Sequence, residues 1–265
     1  MKIGIIGFGY VGNAIGCSHR HDLLVIRDPK IENSADFNQF VGCNAIYVCA
    51  PTPSLPNGEC DTTVLEEILK ELSSVLLDTQ TLIICKSTAP PGTYERLHKQ
   101  YPTIVHCPEF LTAADSVADY NNASYFVLGG DQKWCTLARD VIMHAVPRTQ
   151  DRFMITDIKS AALYKYMMNS YLATKVTFMN EFAGLAQALD IKWDDFKNLA
   201  VHDERIGNSH MNVPGPDGQL GWGGACFPKD IAAIIHEANH NNVNFDLMSN
   251  VVDINNQHRS TSPKN

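Results

Sequence analysis

The chain has 265 residues, of which 45% are hydrophobic, enough to bury one large core or two smaller ones. Its formal net charge of −8, with no basic stripe, argues against a nucleic-acid partner. No apolar run approaches the ~20 residues that span a bilayer, and the N-terminus has no signal-peptide layout, so we expect a cytoplasmic protein with no membrane partner.

The cysteine pattern favours a reducing compartment. There are eight cysteines, none of them in a C-x-x-C pair, and several stand inside apolar stretches. This pattern is typical of small buried side chains, and we expect neither disulfides nor a metal site.

Residues 1–150 alternate short apolar runs with helical patterns. The runs that we predict as strands are "KIGIIG", "LLVIRD", "NAIYVCA", "TLIICKS", "TIVHC" and "SYFVLGG". Near-continuous apolar strands joined by helical crossovers predict an α/β fold, a Rossmann-like doubly wound parallel sheet covered on both faces.

Residues 151–255 predict a separate all-α domain, with a boundary near 147–152. A pattern without Gly or Pro from Asp157 to Gly184 indicates one long helix over 157–189, about 50 Å at 1.5 Å per residue. A short helix near "WDDFKNLAV", a long loop and a helix beginning at Pro228 follow. The polar residues 256–265 predict a loose tail.

The motif "GFGYVG" follows the first strand and begins a helix, which is the arrangement of a dinucleotide-binding turn. Its glycines permit a tight turn, close approach of a pyrophosphate and packing of the helix on the strand. The helix N-terminus offers N–H groups to phosphate. The candidate cofactor-binding residues of the turn are Gly7, Gly9, Tyr10, Val11 and Gly12.

Asp28 ends the second strand roughly 20 residues further on, where a carboxylate can accept the ribose hydroxyls. A carboxylate would repel a 2′-phosphate, so NAD is favoured over NADP, although the neighbouring Arg27 argues the other way. The alternatives are a structural glycine turn and an ordinary loop aspartate.

Three further motifs follow strand ends, where ligands bind in doubly wound sheets. Thr52 lies in "CAPTP", Thr88 in "CKSTAPPGT" and Glu109 in "CPEF". The alternative for each is turn chemistry, since threonine caps and proline-rich loops are common.

The long helix carries a polar stripe. Lys165 and Asn169 are four residues apart, and Asn180 lies close to three turns beyond Asn169, so the three share a face. An ammonium and an amide together can stabilise a developing oxyanion. The alternative is a solvated surface pair.

The stretch "GWGGACFPKD" places Cys226 just ahead of a helix N-terminus, where the helix dipole and Lys229 favour a reactive thiolate. The Gly223–Gly224 pair permits close approach of a ligand, and Asp230 is within reach as a base. The alternative is an inert packing cysteine.

The motifs "GFGYVG", "APTP", "KSTAPPGT", "PEFL", "FMNE", "ERIG" and "GGACFPKD" stand in the order found in nucleotide-sugar dehydrogenases of the UDP-glucose/GDP-mannose type. The chain resembles this family over residues 1 to about 255, most closely its UDP-glucose 6-dehydrogenases. The resemblance implies an NAD-dependent four-electron oxidation of a sugar C6 alcohol to a carboxylate, in the synthesis of polysaccharide precursors.

The resemblance also implies roles for single residues. Cys226 matches the nucleophile that forms a thiohemiacetal and then a thioester, and Lys165 and Asn169 match the oxyanion stabilisers. Asp230 and Thr88 match residues that position water, and Glu109 matches a carboxylate that assists hydrolysis. The implied substrate-binding residues are Glu109, Phe110, Leu111, Lys165, Asn169, Arg205 and Gly223.

The implied partners are a nucleotide sugar and a second copy of the chain, paired through the long helix, with Arg205 reaching the neighbour's substrate. The sequence also departs from the family. Thr112 and Ala113 replace part of the pattern "PEFL-x-E", so the second glutamate is missing. The chain ends where the family continues into a second α/β domain, so a separate chain supplying that domain is a further expected partner.

Two other interpretations remain open. A β-hydroxyacid dehydrogenase shares the Rossmann domain, the long helix and the Lys/Asn pair, but it needs no thiol. A non-catalytic NAD-binding dimer, or half of a split enzyme, would bind NAD without producing NADH alone.

Overall fold

The computed structural model describes residues 1–77, 80–147 and 152–262. Its contacts divide the chain into two compact units. The first comprises residues 1–55 and 60–165, and the second comprises 56–59 and 166–265.

The first unit is built on a seven-stranded sheet. Its strands are β1 (Lys2–Ile6), β2 (Leu23–Arg27), β3 (Ala45–Val48), β4 (Leu82–Cys85), β5 (Ile104–His106), β6 (Phe126–Gly129) and β7 (Phe153–Thr156). The sheet order is β2-β1-β3-β4-β5-β6-β7. The strand β2 lies on one side of β1, whereas β3 and the later strands lie on the other side. Ligands bind beyond the carboxyl ends of the strands at the point where the strand order reverses in this way.

Helices cover both faces of this sheet. They are α1 (Tyr10–Ser18), α2 (Thr63–Leu76), α3 (Pro91–Gln100), α4 (Ser116–Asn121) and α5 (Gln132–Ala145), with a short 3₁₀ helix at Phe37–Phe40. Alternate strand residues point to opposite faces, so Tyr47 packs in one buried cluster while Ile46 and Val48 pack in the other. The α/β sheet with helices on both faces is confirmed.

Two features of the sheet differ from the expectation. The strand β7 was not predicted, because "FMIT" is short and its side chains are only partly buried. In addition, β6 pairs antiparallel with β5, whereas β7 is parallel to β6. The connection between β5 and β6 contains only the six-residue α4, so it is shorter than a full helical crossover. Asn121 of α4 is hydrogen-bonded to Ser18 of α1.

The second unit is helical. Its long helix α6 (Ile158–Ala188) begins in the first unit and continues into the second, passing through Gly184 without a break. It is followed by α7 (Trp193–Val201), α8 (Phe227–His240) and α9 (Asp246–Thr261). A small core of buried apolar residues gathers around Trp222, Ile231 and Met248.

The domain limits also differ from the expectation. The division falls at 165/166 rather than near 150, because Ile158 and Ala162 of α6 pack in the sheet's own core. The expected loose tail of 256–265 is wrong for residues 256–261, which complete α9. Residues 263–265 lie outside the described part of the chain. No described helix is long and apolar enough to cross a membrane.

Candidate active site

The glycine turn after β1 has the shape that a pyrophosphate requires. Gly7 has φ +88°, and a Cβ there would lie 2.4 Å from the carbonyl oxygen of Cys49. A Cβ on Gly12 would lie 2.0 Å from the carbonyl oxygen of Gly7. At Gly9, by contrast, no described atom beyond the residue itself and its two chain neighbours lies within 4 Å of the Cβ position. The turn is therefore tight on two sides and open where the α1 N-terminus would receive phosphate.

Asp28 is held beside this turn. Its Oδ2 accepts a hydrogen bond from the Phe8 N–H at 2.7 Å, and its Oδ1 accepts one from the Lys30 N–H at 2.8 Å. A carboxylate oxygen has two acceptor positions, so each can also accept a ribose hydroxyl.

Arg27 is engaged elsewhere, because it donates to the Ala35 carbonyl at 2.7 Å and lies 4.3 Å from the centre of the Phe37 ring. Because Arg27 is engaged in these contacts, it does not favour a 2′-phosphate, and the turn fits NAD rather than NADP. The exposed Tyr10 and the half-buried Val11 begin α1 beside the turn.

The loops after β3 and β4 are joined by the two predicted threonines. The Thr52 hydroxyl donates to the Thr88 carbonyl at 2.6 Å, and both side chains are buried. Thr52 therefore has a structural bond of the kind that turn chemistry predicts. Its hydroxyl oxygen can still accept a bond from a ligand.

Lys165 is buried and lies against the loop after β5. Its Nζ donates to the Glu109 carbonyl at 2.6 Å and lies 3.4 Å from Glu109 Oε1. The Leu111 N–H donates to Glu109 Oε2 at 2.7 Å, and the Phe110 ring centre lies 5.1 Å from Lys165 Nζ. The structure thus brings together four of the residues expected to bind substrate, and a solvated Lys165 is excluded.

A cleft of about 330 Å³ in the first unit includes Glu109, Phe110 and Leu111 in its wall. The same wall includes Lys86, a buried lysine that the sequence did not single out. Its Nζ is 3.2 Å from Cys107 Sγ and 3.4 Å from the Pro108 carbonyl. Lys86 therefore fixes the turn that carries Glu109. The signal was a lysine inside an apolar strand end, "LIICKS".

In the second unit, Asp230 is the centre of a buried polar group. Its Oδ2 accepts from Asn169 Nδ2 at 2.5 Å, and its Oδ1 accepts from Lys229 Nζ at 2.5 Å. The Asp230 side chain is only 2% exposed. Two donors satisfy the desolvated carboxylate, and they fix it one helical turn from Cys226.

Cys226 is the N-cap residue of α8, and its carbonyl accepts the Asp230 N–H at 3.0 Å. It is partly exposed, as is Cys49, whereas Cys43, Cys85, Cys107 and Cys135 are buried. Desolvation raises the pKa of Cys49 and of Cys135 to about 12, which keeps these two thiols protonated. All eight cysteines lie in the described part of the chain, each a thiol rather than half of a disulfide.

The loop ahead of Cys226 is fixed by side chains that the sequence did not identify as positioning groups. The Gly221 N–H donates to Asn180 Oδ1 at 2.9 Å, and the Trp222 N–H donates to Asn255 Oδ1 at 2.7 Å. The Trp222 indole donates to Thr177 Oγ1 at 3.0 Å. Asn180 thus serves the loop and not only the helix stripe.

Arg205 lies on the surface of the second unit, with its side chain 90% exposed and paired with Asp203 at 2.6 Å. The buried Lys175 of α6 donates to the carbonyls of Ile206 and Gly207 at 2.9 and 3.1 Å, and so fixes the turn that presents Arg205. The expected contact of Arg205 with another subunit remains a prediction.

Comparison with known proteins agrees with this arrangement. Residues 23–146 match the NAD-binding domain of the UDP-glucose/GDP-mannose dehydrogenase family, and residues 159–257 match its central domain. A UDP-glucose 6-dehydrogenase of Rickettsia prowazekii is 29% identical over 94% of this chain and 62% of its own length. The chain spans about half to two thirds of the length of the curated relatives it matches.

Solved structures share the fold. A UDP-glucose dehydrogenase of Pyrobaculum islandicum superposes with a TM-score of 0.80 at 23% identity, over 97% of this chain and 68% of that one. A 3-hydroxyisobutyrate dehydrogenase of Mycobacterium tuberculosis superposes with a TM-score of 0.72 at 16% identity, over 98% and 94%. The two domain matches together account for most of the chain, which belongs to the UDP-glucose/GDP-mannose dehydrogenase family.

Proposed function

We propose that the protein oxidises the C6 alcohol of a nucleotide sugar to a carboxylate, with UDP-glucose as substrate and UDP-glucuronate as product. The observation that carries the proposal is the partly exposed Cys226 at the N-terminus of α8, one turn from the buried Asp230 with its bonds to Asn169 and Lys229. The glycine turn and Asp28 would hold NAD, which would supply the hydride acceptor for both oxidation steps.

Cys226 changes the second oxidation into a tractable one. Its thiolate forms a C–S bond to the aldehyde carbon, and the resulting oxyanion takes a proton to give a thiohemiacetal. Loss of a hydride and that proton leaves a thioester. Water then adds, the C–S bond breaks, and the carboxylate leaves as the thiolate is restored. A serine in its place would give an ester, and the alkoxide expelled in the last step is a poorer leaving group than a thiolate.

Lys165 and Asn169 would stabilise the oxyanions. Glu109 engages two of the three N–H groups that the Lys165 ammonium carries, and Asp230 engages one of the two on the Asn169 amide. A further N–H on each side chain can therefore serve a substrate oxygen. Asp230, Glu109 and Thr88 would orient the attacking water.

The first test is the substitution Cys226→Ser. We expect it to abolish formation of sugar acid while NAD binding, measured by calorimetry, stays within twofold of the wild type. If Cys226→Ser still forms the acid at a rate near that of the wild type, no covalent thioester is used. Release of NADH at the wild-type rate without formation of any acid would instead favour a two-electron oxidation of the β-hydroxyacid type, since a 3-hydroxyisobutyrate dehydrogenase has a similar fold.

We further propose that the chain acts as a homodimer paired through α6, in a reducing compartment such as the cytoplasm. The supporting observations are the apolar residues exposed along α6 and the eight cysteine thiols. A chain that binds NAD yet releases no NADH with any nucleotide sugar, unless a second polypeptide is added, would instead be half of a split enzyme.

A further inference from the structure

The loop from Gly218 to Cys226 has little regular structure of its own. Gly218, Gly221 and Gly224 all have positive φ, between +72° and +76°. Such a loop cannot bond its amides to itself as a helix does, so its conformation depends on other groups that accept and donate. Two buried asparagines from α6 and α9 supply them.

Asn255 bonds to both the N–H and the carbonyl of Trp222 through its side-chain amide. Its Oδ1 accepts from the Trp222 N–H at 2.7 Å, and its Nδ2 donates to the Trp222 carbonyl at 3.0 Å. The side chain is 4% exposed, so both bonds form away from water. Only glycine fits at position 221, because a Cβ there would lie 2.4 Å from Asn255 Oδ1.

Asn180 completes the arrangement from the other side. Its Oδ1 accepts from the Gly221 N–H at 2.9 Å, and its own Nδ2 is fixed on the Val176 carbonyl at 2.8 Å. Two successive loop amides are therefore held by two different helices. The indole of Trp222, bonded to Thr177, anchors the same residue a third time.

The held segment leads directly into Gly223 and Gly224, which line a cleft of about 700 Å³ in the second unit. A Cβ on Gly223 would lie 2.7 Å from the Arg259 guanidinium, which lines the same cleft. At Gly224, no described atom beyond the residue itself and its two chain neighbours lies within 4 Å of the Cβ position. Cys226, in contrast, is fixed by α8 through its own carbonyl bond to the Asp230 N–H. The asparagine contacts consequently determine the position of the Gly223–Gly224 backbone more than that of the Cys226 thiol.

We propose that Asn255, with Asn180, is a positioning residue that presents the Gly223–Gly224 backbone to the sugar substrate. This inference rests on the proposed function, because it assigns Gly223 to the substrate of that same reaction. Contacts from a rigid backbone act on the bound substrate and on the transition state alike, so their loss raises KM more than it lowers kcat.

The test compares Asn255→Ala with Asn255→Asp and with the control Asn250→Ala. Asn250 is an exposed asparagine of α9 that bonds only to the Asp246 carbonyl of its own helix among the described contacts. For Asn255→Ala we expect KM for the sugar to rise at least tenfold and kcat to fall less than threefold. Alkylation of Cys226 by iodoacetamide should stay within twofold of the wild-type rate. Asn255→Asp keeps the acceptor for the Trp222 N–H, so its KM should lie between that of the wild type and that of Asn255→Ala.

A purely structural role would reduce the folded fraction, which lowers kcat and leaves KM unchanged. That pattern, or a KM within twofold of the wild type, overturns the proposal. Hydrogen exchange in peptides covering 218–226 provides a readout that needs no substrate. Exchange there should accelerate at least tenfold in Asn255→Ala and stay unchanged in Asn250→Ala. If the wild type oxidises no nucleotide sugar, the proposed function fails, while unchanged exchange would refute the asparagine anchoring by itself.

Discussion

At the scale of single residues, the glycines of the turn after β1 differ in what surrounds them. A Cβ on Gly12 would lie closer to the carbonyl oxygen of Gly7 than real Cβ atoms approach. The space in the Cβ direction of Gly9 is open among the described atoms. Gly12 therefore serves packing, and Gly9 leaves room for a ligand.

Alanine substitutions should separate these two roles. Gly9→Ala should fold normally and weaken NAD binding at least tenfold, because the added methyl occupies the space of the pyrophosphate. Gly12→Ala should lower the free energy of unfolding by about 1–3 kcal/mol through overpacking. Calorimetry and urea unfolding measure the two effects. Gly184→Ala, in the open exterior of α6, is the matched control and should change neither binding nor stability by more than about 1 kcal/mol.

The positions of candidate residues were predictable where a motif carried them. Cys226, Asp230 and Lys165 stand in distinctive local patterns, and the structure places Asp230 and Lys165 in buried polar contacts and Cys226 at the N-cap of α8. Asn255 was not predictable in the same way, because its partner Trp222 lies 33 residues away. Its position in the apolar periodicity of Met248 and Val251, where an apolar side chain would be expected, was the available signal.

At the scale of secondary-structure elements, β5 carries a buried histidine. His106 donates from Nδ1 to the Cys85 carbonyl at 3.1 Å and stacks on Tyr94 with ring centres 4.0 Å apart. Burial lowers the pKa of His106 to about 3. The folded chain thus keeps this imidazole neutral, whereas the unfolded chain protonates it below about pH 6.5.

Acid should therefore destabilise the sheet through this residue. Between about pH 6.5 and pH 3 the unfolded state binds one more proton at His106, so stability should fall by about 1.4 kcal/mol per pH unit from this group alone. In His106→Phe, which keeps the stacking on Tyr94, that part of the slope should vanish. Urea midpoints at pH 7, 6 and 5 for both proteins measure it. Equal slopes would mean that His106 is not kept neutral.

The element pattern was predictable where a local signal was strong, as in the apolar run of β1, the glycine motif ahead of α1 and the stretch without Gly or Pro in α6. It failed at β7 and at the end of α9, for opposite reasons. The strand β7 is stabilised by pairing with β6 rather than by its own apolar pattern. Residues 256–261 are polar and still helical, since α9 is stabilised through its buried face upstream, with Met248 and Val251 in the core of the second unit.

At the scale of the whole molecule, α6 exposes an apolar stripe. The large apolar side chains on it are between 41% and 56% exposed, and they recur every three, four or seven residues, which places them on one helical face. They are Leu163, Met167, Tyr171, Phe178, Phe182 and Leu185. An apolar surface of this extent favours pairing with a second copy.

A charge placed in the stripe should separate the copies. We expect the wild type to elute with twice the chain mass of 29.4 kDa in light scattering, and Phe178→Glu to elute with the mass of one chain. Leu247→Glu, at a 68% exposed position of α9 outside the stripe, should leave the dimer intact. A wild-type protein with the mass of a single chain would remove the proposed dimer and with it the reach of Arg205 into a neighbour.

The most direct test of the whole account counts NADH formed per sugar consumed. The purified chain would be incubated with excess NAD and a limiting amount of UDP-glucose, GDP-mannose or a UDP-N-acetylhexosamine. Absorbance at the nicotinamide band would be followed to completion. A thioester on Cys226 requires two hydrides to leave each sugar, so we predict two NADH per UDP-glucose. One NADH per sugar would contradict the covalent mechanism, and none with any of these sugars would contradict catalysis by this chain alone.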